Sequence, residues 1–80
     1  MEHKIYEYVG GENSLNIQYG TPFLLIGFCD GEWELSKTNW NDVKYNFSEV
    51  VYRFNNLMVD ISVCNEHFQK YFRYSCSINQ

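Results

Sequence analysis

Residues 40–58 read WNDVKYNFSEVVYRFNNLM, which has the 3.6-residue period of an amphipathic helix. At 100° per residue, the large hydrophobic side chains of this stretch fall within about 120° and predict one face that packs on a core. These side chains are Trp40, Val43, Phe47, Val50, Val51, Phe54, Leu57 and Met58. We therefore predict a single helix over about residues 39–56, with Asn39 among the side chains able to cap its first turn.

A second stripe lies on the opposite side of this predicted helix. Its acidic, tyrosine and asparagine side chains recur at spacings of three and four, so they should point together away from the core. They are Asp42, Tyr45, Glu49, Tyr52 and Asn56. Glu49 also stands four residues before Arg53, which is the favourable order for an exposed ion pair on a helix.

The alternative for the same residues is a pair of strands. Val43, Tyr45 and Phe47 alternate with polar neighbours, and Asn55-Asn56 has the composition of a hairpin turn. The alternation changes phase at Ser48-Glu49, however, and would need a bulge there. The helical period accommodates every core candidate without such a correction, so we favour the helix.

Most of the chain outside this stretch alternates between hydrophobic and polar residues, which is typical of half-buried strands. The predicted strands are residues 4–9, 15–19, 23–29, 32–35 and 59–64. The cluster Gly10-Gly11-Glu12-Asn13 predicts one hairpin loop, and Asp30-Gly31 is a strong two-residue hairpin signal. After that turn, Trp33 and Leu35 should face the core, while Glu32 and Glu34 should face water.

The tail, residues 65–78, fits two structures. Phe68, Tyr71 and Phe72 have the spacing of a short helix, whereas the residues from Phe72 to Ile78 alternate as in a strand, and we predict the strand. The eighty residues then form a single domain, 1–80, of the α+β class. Its architecture is a small, mostly antiparallel sheet of about five to six strands with one amphipathic helix packed on one face.

The net charge of −4 is unevenly distributed. Residues 1–36 carry six acidic side chains and one basic one, whereas residues 37–80 carry four acidic and five basic ones. An acidic surface repels phosphate backbones and attracts basic proteins at long range, so we expect a basic protein as the partner. The alternative is that the charge only keeps a small aromatic-rich domain soluble.

The three cysteines, Cys29, Cys64 and Cys76, are an odd number, and no apolar signal region follows Met1. We therefore expect a cytoplasmic protein whose reduced thiols are buried as small hydrophobic groups. The longest apolar run, residues 23–29, is far shorter than the eighteen or so residues that cross a bilayer, so no membrane association is expected.

No motif in the sequence predicts catalysis, a metal or a cofactor. Cys64 and His67 are the only close pair of zinc-type ligands, and Cys29 and Cys76 lie too far along the chain to complete the usual two pairs. The acidic hairpin lacks the ligand order of a calcium loop. With only two histidines in the chain, we predict that the protein is not an enzyme.

Stacking of unpaired bases on sheet aromatics is a weaker possibility, because such platforms accompany a positive groove and this chain is acidic. The candidate stacking residues are Tyr6, Tyr8, Phe23, Trp33 and Tyr74. Lys70 and Arg73, near Tyr71 and Tyr74, form the only basic-aromatic patch, so nucleic-acid binding is not the favoured function.

The remaining class is recognition of a protein. Tyrosine gives interfaces a large, rigid surface with a polar tip. We expect a small inhibitor that blocks a basic partner, such as a nucleic-acid enzyme or a toxin, in the manner of immunity or phage anti-defence proteins. The predicted contact residues are the outer stripe of the helix together with Asp30, Glu32 and Glu34. The alternative is a structural subunit or homodimer that self-associates through the stripe or a sheet edge.

Overall fold

The computed structural model describes residues 1–10 and 16–79, which form an antiparallel five-stranded sheet and three helices. The elements in chain order are β1 (Glu2–Tyr8), β2 (Pro22–Cys29), β3 (Glu32–Lys37), α1 (Trp40–Tyr45), α2 (Phe47–Asn55), β4 (Ile61–Cys64), α3 (Asn65–Tyr71) and β5 (Phe72–Asn79). The strand order is β4-β3-β2-β1-β5, and every neighbouring pair is antiparallel. The predicted α+β fold is therefore confirmed.

The hairpin between β2 and β3 forms as the sequence predicts. Asp30 and Gly31 have φ angles of 53° and 79°, the two positive values that a type I′ turn requires. The register pairs Phe28 with Trp33 and Leu25 with Leu35. Since side chains alternate across a strand, Trp33 and Leu35 lie on one face of the sheet and Glu32 and Glu34 on the other, as expected.

The face that contains Trp33 is aromatic and is covered by α3. The Phe68 ring on this helix stacks on Trp33 at 4.4 Å between centroids, and it also lies 4.8 Å from Tyr6. The buried residues of this side are Tyr8, Ile17, Phe23, Leu35, Val63, Phe68 and Phe72. Rings therefore supply most of the core of this side, which we call the α3 layer.

The opposite face of the sheet is aliphatic and is covered by α1 and α2, and we call this side the α1–α2 layer. Val50 of α2 packs on Ile5 and Leu24, and all three are fully buried. Phe54 lies against the buried ring of His3, with 4.7 Å between ring centroids. The prediction of one helix on one face is thus incomplete, because helices cover both faces.

The predicted helix over 39–56 is interrupted at Asn46, where φ is −141° and ψ is 57°. The side chain explains why an asparagine fits there: its Nδ2 donates to Asp42 Oδ1 at 3.4 Å, and its Oδ1 accepts from Ser48 at 2.9 Å. Neither bond involves a backbone group, so they hold the Asn46 side chain in place at the interruption without replacing a helical hydrogen bond. A single continuous helix was therefore wrong, although the predicted cap at Asn39 is confirmed by its 2.8 Å bond to the Asp42 amide.

Three other boundaries differ from the prediction. Residues 16–19 are not a strand, and the rest of that predicted strand, with most of the preceding loop, lies outside the described residues. β4 begins at Ile61 and not at residue 59, because Val59 and Asp60 belong to the connection from α2. In the tail, the predicted strand from Phe72 is confirmed as β5, but a short helix also forms, since α3 runs directly into β5. Of the three helices that the described residues form, none is long and apolar enough to span a membrane.

Candidate functional site

The two tyrosines of the predicted outer stripe point into solvent. Tyr45, the last residue of α1, is 80% exposed, and Tyr52 in the middle of α2 is 55% exposed. Asn56 follows α2, is also exposed, and its Nδ2 donates to the Tyr52 carbonyl at 2.8 Å. These three residues therefore lie on the outer side of the helices, as the periodicity predicts.

The two acids of the stripe take a different position. Asp42 and Glu49 are half-buried and line a groove of about 350 Å³ together with Lys37, Arg53 and Asp60. Amide groups of Asn39 and Asn46 donate to the two carboxylate oxygens of Asp42. The carboxylates of Asp42 and Glu49 thus share the groove with the cationic side chains of Lys37 and Arg53. The outer stripe therefore does not present an unbroken negative surface.

Arg53 organises one wall of this groove. Its Nε donates to the Oγ of the buried Ser36 at 2.7 Å, and its NH2 group contacts Asp60 Oδ2 at 2.7 Å. The same Asp60 oxygen accepts the Lys37 amide at 2.6 Å. The sequence instead predicts an ion pair between Arg53 and Glu49. It does not indicate the contact with Asp60, because that contact depends on how the connection after α2 returns to β3.

The acidic hairpin lies at the other end of β3 from this groove. Asp30 and Glu32 are exposed at the turn, whereas Lys37 ends the strand at the groove. Six extended residues span roughly 20 Å. Glu34 is half-buried, with its Oε1 3.4 Å from where a Cβ on Gly27 would lie. The expected continuous surface of hairpin acids and helix stripe is therefore not formed.

Sequence reasoning missed a concentration of exposed hydrophobic side chains. Of the ten large hydrophobic side chains that are exposed in the described part of the chain, six lie between residues 45 and 59. They are Tyr45, Phe47, Tyr52, Leu57, Met58 and Val59. The helical period assigns Phe47, Leu57 and Met58 to the core, but α2 ends at Asn55 before the last two reach the sheet.

The expectation of buried thiols is wrong for two of the three cysteines, whereas Cys76 packs against the core on the α1–α2 side of the sheet. Cys29 and Cys64 are exposed, Cys76 is half-buried, and all three thiols are free. Cys29 and Cys64 pair with Glu32 from the two neighbouring strands, so these three residues form a row across the sheet. Across residues 1–10 and 16–79, however, no group of three potential ligands is arranged to hold a metal ion.

His3 is enclosed and not presented to a cleft. It is 1% exposed, and its Nδ1 has no hydrogen-bond partner among the residues that the structure describes. Burial, and secondarily the positive amino terminus, lower the pKa of this imidazole from 6.5. The ring is therefore neutral near pH 7 and serves as part of the packing against Phe54.

The candidate stacking residues are also divided by the fold. Tyr8 and Phe23 are each 1% exposed and belong to the core, so their faces cannot receive a base. Tyr74 is 50% exposed and contacts Tyr6 at 5.8 Å between ring centroids. Only part of the expected aromatic platform is thus accessible.

Comparisons with known protein families, with curated proteins and with solved structures found no match for this chain. The functional argument therefore depends on the chemistry and exposure of the residues described above.

Proposed function

We propose that this protein acts by binding a basic protein through the outer side of α1 and α2. The proposed contact residues are Tyr45 and Tyr52, with Asn56 between α2 and β4, and the acids Asp42 and Glu49 lie in the adjacent groove. Binding of this kind is suited to an inhibitor that blocks a nucleic-acid enzyme or a toxin. No catalytic step, metal or cofactor is part of the proposal.

The observation that carries the proposal is the exposure of the two tyrosines. A phenol ring on the outside of a helix gains little for folding, since it leaves most of its surface in water. The same ring gives an interface a large contact area, because only two side-chain torsions have to be fixed on binding. Val50 and Val51 are buried on the inner side of α2, which holds Tyr52 on a well-packed element.

The acidic character of the chain supplies the long-range part of the mechanism. A net charge of −4 attracts a positive surface and accelerates encounter, while the buried contact sets the dissociation rate. Asp30 and Glu32 contribute to this field from the far end of β3 without having to touch the partner. The free thiols of all three cysteines are in keeping with a reducing, cytoplasmic setting.

Binding kinetics with the partner test this proposal. Tyr45→Ala and Tyr52→Ala should each raise the dissociation rate, by about tenfold or more if the ring is an anchor. Asp42→Lys together with Glu49→Lys should slow association and flatten its dependence on salt. Gln69→Ala on the outer side of α3 is the matched control and should change neither rate. Tyrosine variants that bind as the wild type does would refute the proposal.

Self-association through a sheet edge is less well supported by the structure. β5 is an edge strand of eight residues, but it carries Arg73, and its pairing with β1 shifts register around Ser75. β4, the other edge, has four residues. A charge, a bulge and a short strand all limit the addition of another strand. A mass in solution equal to that of the monomer at micromolar concentration would exclude a stable homodimer.

A further inference from the structure

The end of α2 contains a leucine where glycine is usual. The Met58 amide donates to the Arg53 carbonyl at 3.0 Å, and the Leu57 amide donates to the Phe54 carbonyl at 3.1 Å. These two bonds define a Schellman motif, in which the residue after the C-cap adopts a left-handed conformation. Leu57 is that residue, and its φ is 50°.

Folding alone gives no reason for this leucine. A left-handed conformation brings Cβ close to the following carbonyl oxygen, so a leucine is strained there and a glycine is not. Burial of the side chain does not offset that strain, because Leu57 is 70% exposed. Glycine at this position would therefore favour the folded state.

Two more exposed hydrophobic residues follow directly. Met58 is 37% and Val59 38% exposed, and with Leu57 they form what we call the 57–59 tip. The tip is fixed at both ends, by the Schellman bonds at α2 and by Asp60, whose amide donates to the Leu35 carbonyl at 2.8 Å. A fixed apolar segment loses little conformational entropy when it binds.

We infer that the 57–59 tip is the apolar anchor of the interface, with Leu57 inserted into an apolar pocket of the basic partner. The inference rests on the proposed function, and it adds a contact that the tyrosines do not make. A second copy of the chain fits the tip less well, since two copies carry −4 each and repel one another. The occupant is therefore a different protein, with an apolar pocket in a positively charged surface.

The test separates folding from binding at one position. Leu57→Gly should raise the melting temperature by about 4 °C or more, because it removes the left-handed strain. It should also weaken binding at least about tenfold, because the anchor is lost. Asn16→Gly is the matched control, since Asn16 is exposed with a φ of 57° and belongs neither to α1 and α2 nor to the 57–59 tip. It should leave binding unchanged.

The partner is obtained by photo-crosslinking in the native host with benzoylphenylalanine at position 57, at position 52 or at position 69. We expect one basic protein to be captured from positions 57 and 52 and not from position 69. That protein is then purified, and its dissociation constants for the wild type and both glycine variants are measured.

The outcomes distinguish the inference from the proposed function. Capture from position 52 alone, or equal affinity for wild type and Leu57→Gly, overturns the anchor and leaves the tyrosine surface intact. If no protein is captured from position 57 or from position 52, both the anchor and the proposed tyrosine surface are refuted. Capture of a second copy of this chain from position 57 would show that the occupant is a homodimer partner and would overturn the inference.

Discussion

The two helical layers of this protein differ on their outer sides. The exposed residues of α3 are all polar, namely Asn65, Glu66, His67, Gln69 and Lys70. The α1–α2 layer and the connection that follows it instead expose most of the large hydrophobic side chains that the described residues leave in solvent, from Tyr45 to Val59. Both layers bury their inner sides on the sheet, so the difference is not a consequence of packing.

The comparison indicates which residues folding explains and which it does not. In the α3 layer, the apolar side chains are those that the core uses, as Phe68 shows by its contacts with Trp33 and Tyr6. In the α1–α2 layer, Val50 and Val51 are buried, but Tyr52 and Leu57 remain outside. The hydrophobic residues that are not used for folding are the ones we assign to the interface.

The largest expected effect contrasts two aromatic residues, one in each layer. Phe68→Ala should lower the free energy of unfolding by about 3–5 kcal/mol, because Phe68 is buried and its removal leaves a cavity. Tyr52→Ala should change it by less than about 0.5 kcal/mol, since the ring is largely in solvent. Urea unfolding measures both values. A Tyr52→Ala variant as unstable as Phe68→Ala would mean that the outer ring is structural, and the contrast between the layers would fail.

How far the sequence predicts the fold can be seen in the same two layers. Local signals are sufficient for the Asp30-Gly31 turn, for the alternation of Trp33 with Glu34, and for the cap at Asn39, because each depends on a few neighbouring residues. The period of α2 also places Val50 and Val51 correctly in the core. These features confirm the α+β assignment.

What the sequence does not predict depends on contacts between distant residues or on the backbone conformation of a single residue. Asn46 lies within a good helical pattern, and no spacing along the chain indicates that its backbone leaves the helical conformation. Leu57 follows the same pattern but comes after the end of α2. The contact of Arg53 with Ser36 and Asp60 joins α2 to β3 and to the connection before β4, and no spacing along the chain indicates it.

The second prediction concerns that contact, which attaches the α1–α2 layer to β3. Arg53→Met keeps the apolar stem but removes the donors to Ser36 and Asp60. The Ser36 hydroxyl is fully buried, so the loss of its partner should cost about 1–3 kcal/mol in unfolding free energy. The double variant Arg53→Met/Ser36→Ala should recover part of this cost. Equal stability of wild type and Arg53→Met would show that the contact does not hold the layer in place.

The third prediction addresses α1, the shorter helix of that layer. Asn39→Ala removes the side-chain acceptor of the Asp42 amide and should cost about 1 kcal/mol in unfolding free energy. Asn55→Ala, at an exposed position in the last turn of α2, is the control and should stay within about 0.5 kcal/mol of the wild type. A larger cost for Asn55→Ala would mean that the end of α2, and not the start of α1, limits the stability of the layer.

The last prediction is a pH dependence that arises from the buried His3 on the α1–α2 side. Burial and the amino terminus lower the pKa of His3 in the folded state, whereas the unfolded chain has the ordinary value of 6.5. The unfolded state therefore takes up a proton first as the pH falls. The stability that the neutral ring contributes is complete above pH 6.5 and is lost as the pH falls from 6.5 through the lower folded-state pKa.

Urea unfolding of the wild type and of His3→Gln between pH 7.5 and 5.5 measures this difference. The wild type should lose more stability over this range than His3→Gln. Gln69→Ala, an exposed change on α3 that leaves His3 in place, should retain the pH dependence of the wild type. If His3→Gln loses as much stability as the wild type over this range, the buried contact of His3 with Phe54 does not respond to pH.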